Sequence, residues 1–271
     1  MSKKELVEGA GINAAFKSHK IRRVTPNIYY VLDNIEASFY VIVGQAVTAV
    51  IDTGIAEGEK IMPLVKELAQ NNNPIILLLT HSHYDHAYHM NEFETVYLCH
   101  DELSICDEEF KNTLPVKTGD LFDLGGEVLE AFHVPGHTPG SMVFYANKAD
   151  ILFTGDAIGS GYGPSMFSKG LSLPLSEYCL SLLALQRWLV EKGGRMKFWG
   201  GHQQQQFQSK YIPVYNPVNM GYLGDLIDLV DKVSRGEIVG TDSDFPHVLA
   251  FEPMRYATYG RAELTYMQSN L

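Results

Sequence analysis

The stretch richest in chemistry is His81-Ser82-His83-Tyr84-Asp85-His86. Three imidazoles and a carboxylate within six residues make a poor packing segment. Clustered histidines repel once protonated, and each needs its own hydrogen bonds. Neutral imidazole nitrogens and a carboxylate oxygen are instead the ligand set of zinc and similar metals. In an extended or looped stretch side chains repeat every two residues, so His81 and His83 point the same way. Asp85 and His86 then turn toward a second position. A polar loop that is merely rich in histidine is the bland alternative, and the spacing is much more specific than composition.

Four further residues share a context with this cluster. Asp52, Asp156 and His202 follow apolar, strand-like runs, and His137 sits in Pro135-Gly136-His137-Thr138-Pro139-Gly140. Prolines and glycines on both sides fix that tight loop and hold His137 at its tip. Asp52 in isolation reads as a turn or cap residue. If the strands lie side by side, their ends converge on one rim, where α/β proteins place their chemistry. Counting ligand types gives a site for two divalent ions, zinc first, with iron or manganese as alternatives. His81, His83 and His137 hold one, Asp85, His86 and His202 the other. Asp156 bridges them, because a carboxylate has two oxygens. Asp85 and Asp156 are the carboxylates expected to take part in catalysis, Asp85 by orienting a hydroxide.

The elements that must position these residues follow from the apolar pattern. Residues 28–32, 38–43 and 47–51 are rich in β-branched and aromatic types with turn signals between them, and read as an antiparallel meander. Ile61, Leu64, Val65 and Leu68 recur at helical spacing, which predicts a helix over 57–69. The short apolar run 75–79 is a buried strand that ends at the histidine cluster, and a short helix starts at 87–90. Strands are expected at 95–98, on both sides of Gly125-Gly126, at 142–145, 151–153 and 197–199, and a polar helix over 101–110. Residues 176–191 form a helix capped by Ser176, with Leu180, Leu183, Ala184 and Trp188 on one face, stopped by Gly193-Gly194. Residues 221–234 form another, facing inward with Leu223, Leu226, Ile227 and Val230. The tail 248–266 adds a strand or covers the site. The loop 159–173 is long for a connection and reads as a binding loop, with Tyr162, Phe167 and Lys169 as substrate contacts.

Composition bounds the rest. The chain has 271 residues, 45% hydrophobic and 20% charged, enough for a sizeable core and too apolar for disorder. A formal net charge of −11 suits phosphate backbones poorly, so nucleic acid is not the expected partner. The three cysteines have no framework spacing and read as reduced thiols. No stretch is long and apolar enough for a signal peptide or a membrane helix, so the expectation is a cytoplasmic protein with a small-molecule substrate and no membrane partner. A homodimer is left open. No linker or short-period repeat divides the chain, which reads as a single domain over 1–271, with a core of about 24–210 and an extension over 211–271.

In their order along the chain, Asp52, His81-x-His83-x-Asp85-His86, His137, Asp156 and His202 resemble the five signature segments of the metallo-β-lactamase superfamily. The resemblance spans roughly residues 28–202. It implies an α/β fold, a four-layer αββα sandwich of two mixed β-sheets flanked by helices, with the metals at one edge. It also implies that Asp52 supports the metal site from behind the ligands. Asp156 is similar to the bridging Asp of the glyoxalase II, lactonase, phosphodiesterase and tRNA-processing branches, and true β-lactamases lack it. His83 stands where the di-iron flavoprotein branch carries Glu. Ala87-Tyr88-His89 departs from the small glycine-rich pair of glyoxalase II. The implied activity is hydrolysis of a small ester, thioester, lactone or phosphodiester by a bridging hydroxide. A mononuclear non-haem iron oxygenase resembling persulfide dioxygenase, and a non-catalytic metal-binding protein, are the alternatives.

Overall fold

The computed structural model describes residues 7–8, 18–159, 163–168, 170–202, 219–243 and 252–271. Tyr162 and Lys169 lie outside them. One sheet has eight strands in chain order. Val7–Glu8 (β1), Lys20–Thr25 (β2), Ile28–Leu32 (β3), Ser38–Val43 (β4) and Thr48–Ile51 (β5) form an antiparallel meander. Ile75–Leu78 (β6), Val96–Leu98 (β7) and Leu114–Pro115 (β8) extend it in parallel. In the second sheet, Leu121–Asp123 (β9), Val128–His133 (β10), Met142–Ala146 (β11) and Ile151–Gly155 (β12) are antiparallel, and Lys197–Gly200 (β13) adds parallel to β12.

Alternation along the strands builds the layers. Leu78 faces the other sheet with Tyr40, Ile42, Ile51, Leu129, Phe144, Phe153 and Trp199. Its neighbour Leu77 points the opposite way, to Val41, Val50 and the helix Met62–Ala69 (α1). The outer face of the second sheet, with Val143, Leu152 and Phe198, is covered by Leu175–Glu191 (α3) and Met220–Ser234 (α4). The result is an αββα sandwich of two mixed sheets flanked by helices, as the resemblance implies.

Three helix expectations need correction. Residues 57–61 are not helical: α1 starts after Ile61, with Pro63 in its first turn, where a missing N–H costs nothing. Residues 101–110 form two 3-10 turns, His100–Ser104 and Glu108–Asn112, rather than one helix. Helix α3 begins after Pro174 without a side-chain cap, and its inner face carries Tyr178, Cys179, Leu182, Leu185 and Leu189. Leu180, on the face picked out by spacing, is 68% exposed. Gly193 and Gly194, both at positive φ, do terminate it, donating to Val190 and Leu189 carbonyls. Helix α4 is capped by Asn219, whose side chain accepts from Gly221 N and Tyr222 N, and it buries the face expected of it.

The tail is a hairpin. Thr241–Asp242 (β14), Met254–Tyr259 (β15) and Ala262–Met267 (β16) make a third, antiparallel sheet. It is seated on the segment that follows β12: Met254 and Met267 pack on Phe167. Met166 N donates to Thr265 O at 2.8 Å, Thr265 N to Pro164 O at 3.1 Å, and Asn270 Nδ2 to Phe167 O at 2.6 Å.

Candidate metal centre

The ends of two adjacent strand pairs, β5 and β6 in one sheet and β12 and β13 in the other, deliver expected residues to one rim. Asp52 follows β5, His81 comes three residues after the end of β6, Asp156 follows β12, and His202 comes two residues after the end of β13. The one-turn helix Tyr84–Ala87 (α2) begins inside the histidine cluster, earlier than expected, and turns Asp85 and His86 away from His83. His137 comes from the loop between β10 and β11. Asp52 adopts a left-handed φ of 59°, a strained region that aspartate tolerates better than most residues.

The first group is His81, His83 and His137. His81 Nε2 and His137 Nε2 lie 3.0 and 3.1 Å from His83 Nδ1. The outer ring atoms assign the tautomers. His137 Nδ1 donates to Ser165 O at 2.8 Å. Thr80 Oγ1 donates its proton to Asp52 Oδ2 at 2.8 Å, so it accepts from His81 Nδ1 at 3.0 Å. Both rings therefore turn an Nε2 lone pair toward His83 Nδ1. Such lone pairs repel one another unless a cation, or a proton on His83 Nδ1, sits among them. Their spacing approaches the separation of about 3.3 Å that zinc–nitrogen bonds of about 2.0–2.1 Å at tetrahedral angles require.

The second group is Asp85, His86 and His202. His86 Nδ1 donates to Asp52 Oδ2 at 2.9 Å, and His202 Nδ1 to Glu36 O at 3.1 Å, so again both Nε2 atoms face inward. His202 Nε2 lies 3.1 Å from Asp85 Oδ2. Asp156 stands between the groups. Its Oδ1 faces His86 Nε2 at 3.3 Å and His202 Nε2 at 3.8 Å, while Oδ2 faces His137 Nε2 at 3.7 Å. His86 Nε2 and Asp156 Oδ1 are buried with no hydrogen-bond partner. The two atoms face each other without a well-formed hydrogen bond, and both offer lone pairs to a cation placed between the groups. Gly201 keeps the space open: a Cβ there would come 2.5 Å from both Asp156 Oδ1 and His86 Cε1.

Proton affinities divide along the same line. Burial pushes the His81 imidazole well below its usual value, and burial with the His137 charge pushes His83 down to about 3. Burial lowers His137 as well. Burial also opposes charge on His86 and His202, but there Asp156 and Asp85 outweigh it and raise both. Asp85 and Asp156 would be raised by burial, yet His86 and His202 hold both below the carboxylate range. Protonation is thus disfavoured at His81, His83 and His137, while His86 and His202 are paired with the carboxylates of Asp85 and Asp156.

Phe167 is 2% exposed, and its ring lies against His83 and His137 with centroids 5.5 Å away. It backs the histidines rather than lining an open surface. Tyr162 and Lys169 fall outside the described residues. Four partners had no signal beyond their own types: Thr80, Ser165 O and Glu36 O behind the histidines, and Glu102 beside Ser82 and Gly140. Cys99, Asp101 and His133 form a separate group that shares no residue with the centre. There burial pushes the Cys99 thiol up to about 11, and His133 Nε2 already donates to Pro139 O at 2.8 Å. No helix of the described residues is long and apolar enough to cross a membrane.

This sandwich, with clustered His and Asp ligands at its rim, defines a class that comparison with known proteins identifies. Residues 33–176 match the model of the metallo-beta-lactamase superfamily, and the chain belongs to that family. Among curated relatives it is 26% identical over 224 residues to the acyl-coenzyme A thioesterase MBLAC2 of Bos taurus, covering 65% of this chain and 78% of the relative. It is 30% identical over 147 residues to the probable metallo-hydrolase YqgX of Bacillus subtilis, covering 47% and 68%. Among solved structures, a metallo-beta-lactamase from Pontibacter korlensis superposes with a TM-score of 0.57 at 16% identity, over 78% of this chain and 99% of that one. ETHE1 from Myxococcus xanthus does so with 0.53 at 20%, over 76% and 90%. At these identities the two structures show a shared fold.

Proposed function

We propose that the protein is a metal-dependent hydrolase with a dinuclear centre: His81, His83 and His137 hold one divalent ion, Asp85, His86 and His202 the other, and Asp156 lies between them. The observation that carries this is the convergence of inward-facing imidazole nitrogens on a carboxylate whose two oxygens face opposite groups. Zinc suits this donor set, as do iron and manganese. When bound, two such ions bring the pKa of a shared water toward neutrality and polarise the substrate oxygen that gains charge.

The chain's own residues supply the order. Asp52 keeps a proton on His86 Nδ1 and fixes that ring, and through Thr80 it fixes His81. Asp85 is the most accessible carboxylate of the centre and stays ionised, so it accepts a hydrogen bond from the attacking water and orients it. Phe167 keeps solvent from the back of His83 and His137. Tyr162 and Lys169 remain substrate contacts on sequence grounds. The substrate is a small ester, thioester, lactone or phosphodiester, and similarity to a relative named as an acyl-coenzyme A thioesterase favours the thioester.

The test is metal analysis joined to a hydrolysis screen. Expected are two ions per chain after reconstitution, and chelator-sensitive cleavage of at least one thioester, lactone or phosphodiester. Two bound ions without metal-dependent hydrolysis would refute the activity. One iron per chain with oxygen uptake on a glutathione persulfide would establish the oxygenase alternative instead.

A further inference from the structure

We propose that Glu102 is a positioning residue for the three-histidine half of the centre, locking its two ligand loops to each other. The inference rests on the dinuclear reading above. Glu102 lies on the 3-10 turn after β7 and is fully buried. Its Oε2 accepts from Ser82 N at 2.9 Å and from Ser82 Oγ at 2.5 Å. Its Oε1 accepts from Gly140 N at 2.7 Å. Ser82 stands between His81 and His83, and Gly140 stands three residues after His137. One carboxylate therefore spans the two loops that supply all three histidines, which come from different sheets.

The contact is built closely. A Cβ at Gly140 would meet Glu102 Cγ at 2.6 Å and Glu102 N at 2.8 Å, so only glycine lets the loop approach. Among the described residues no lysine, arginine or histidine forms an ion pair with Glu102. Its charge is held by three neutral donors, and those donors belong to the ligand loops. Burying a carboxylate is costly unless such bonds are made, so each donor lost weakens the tie between the two loops. Hydrogen bonds behind metal ligands typically govern affinity by about 10–100-fold.

Glu102→Gln keeps the size but turns one acceptor into a donor. Either orientation sets an NH2 group against the Gly140 N–H or against the Ser82 donors. Ser82→Ala is the milder companion: it deletes one bond and keeps the backbone donor. Each would be made in the intact chain and in a His202→Ala background that leaves the three-histidine group whole. Cobalt(II) binding to metal-free protein would be followed by visible absorbance with a competing chelator, and thermal unfolding of the metal-free protein measured alongside. Expected is a loss of about 10–100-fold in cobalt affinity in the His202→Ala background for Glu102→Gln, and a smaller loss in the same direction for Ser82→Ala. In the intact chain one binding step should weaken while the other moves less than about threefold, and excess metal should restore the d–d spectrum. Unchanged affinities overturn the inference. So does an equal fall of both steps that tracks a lowered unfolding temperature, the signature of a residue that only holds the fold. If Glu102→Gln does not fold, Ser82→Ala decides by the same criteria. A parent protein that binds no ion refutes the dinuclear reading and this inference with it, whereas a parent that binds two and variants that match it refute this inference alone.

Discussion

Replacing Asp156 by alanine should reduce the metal content from two ions per chain to one. Two dications about 4 Å apart repel by roughly 17 kcal/mol at an effective permittivity of about 20. One negative charge at a similar distance from both attracts each by roughly 8 kcal/mol, or about 17 in all. The two terms are of the same size, so a single bridging carboxylate decides whether a second ion stays. The geometry gives Asp156 this position, with Oδ1 3.3 Å from His86 Nε2 and Oδ2 3.7 Å from His137 Nε2. Water and hydroxide entering the gap return much of the difference. The loss is therefore set against the effect of removing groups behind the ligands, about 10–100-fold. A ligand that touches both ions should cost at least a hundredfold for the weaker one, about 2.7 kcal/mol. Equilibrium dialysis against buffered zinc, followed by elemental analysis, measures this, with circular dichroism to confirm the fold. Two ions bound by Asp156→Ala with affinities within about threefold of the parent would refute the bridge.

Gly201→Ala should disturb the same carboxylate without removing it, since its Cβ would stand 2.5 Å from Asp156 Oδ1 and from His86 Cε1. Metal content and hydrolysis should fall while circular dichroism is unchanged, and full metal content would show that the loop yields instead. Phe167→Ala should cost about 3–5 kcal/mol of stability, as for other buried aromatics, because the ring is packed with Met254 and Met267. A changed preference between a short and a long substrate, without loss of melting temperature, would return Phe167 to substrate contact. In chelator, thermal stability should peak near pH 6.5. The lowered His81, His83 and His137 lose stability as pH falls below about 6.5, where only the unfolded chain takes up their protons. The raised His86 and His202 give stability that is present below that value and lost as pH rises through their folded pKa. A melting temperature that climbs steadily from pH 5 to 8 would contradict this.

The candidate ligands could be picked out of the sequence because each has a local mark. A strand-like apolar run precedes Asp156 and His202, and turn residues surround His137, so their convergence needed only a sheet to line up the ends. The meander followed from β-branched and aromatic runs with turn signals between them, and the strand before His81 from a short, continuous apolar run. What failed was the choice between faces. Helix α3 carries apolar residues nearly all round, so Leu180, Leu183, Ala184 and Trp188 form as good a stripe as Tyr178, Leu182, Leu185 and Leu189. Only the position of α4 and the second sheet selects the latter. Trp188 takes a margin instead, stacked on Phe132 at 4.7 Å. Glu102 was hidden for a related reason. It sits in an acidic stretch with Asp101, Asp107, Glu108 and Glu109, and nothing local marks it as the buried one. Its partners, Ser82 and Gly140, are 20 and 38 residues away.

The seating of the C-terminal hairpin on the segment behind the histidines has a consequence for how the protein is made. Phe167, which backs His83 and His137, is held through its carbonyl by Asn270, 103 residues later. All seven candidate ligands have been synthesised by residue 202, yet the wall behind two of them waits for residues 254–270. Such distant pairings form late, because the chain must close a large loop before it gains the contact. During synthesis the nascent sandwich would therefore present a ligand rim with an unfinished back, open to water and loosely held. Completion of the hairpin is the step that closes the wall behind His83 and His137.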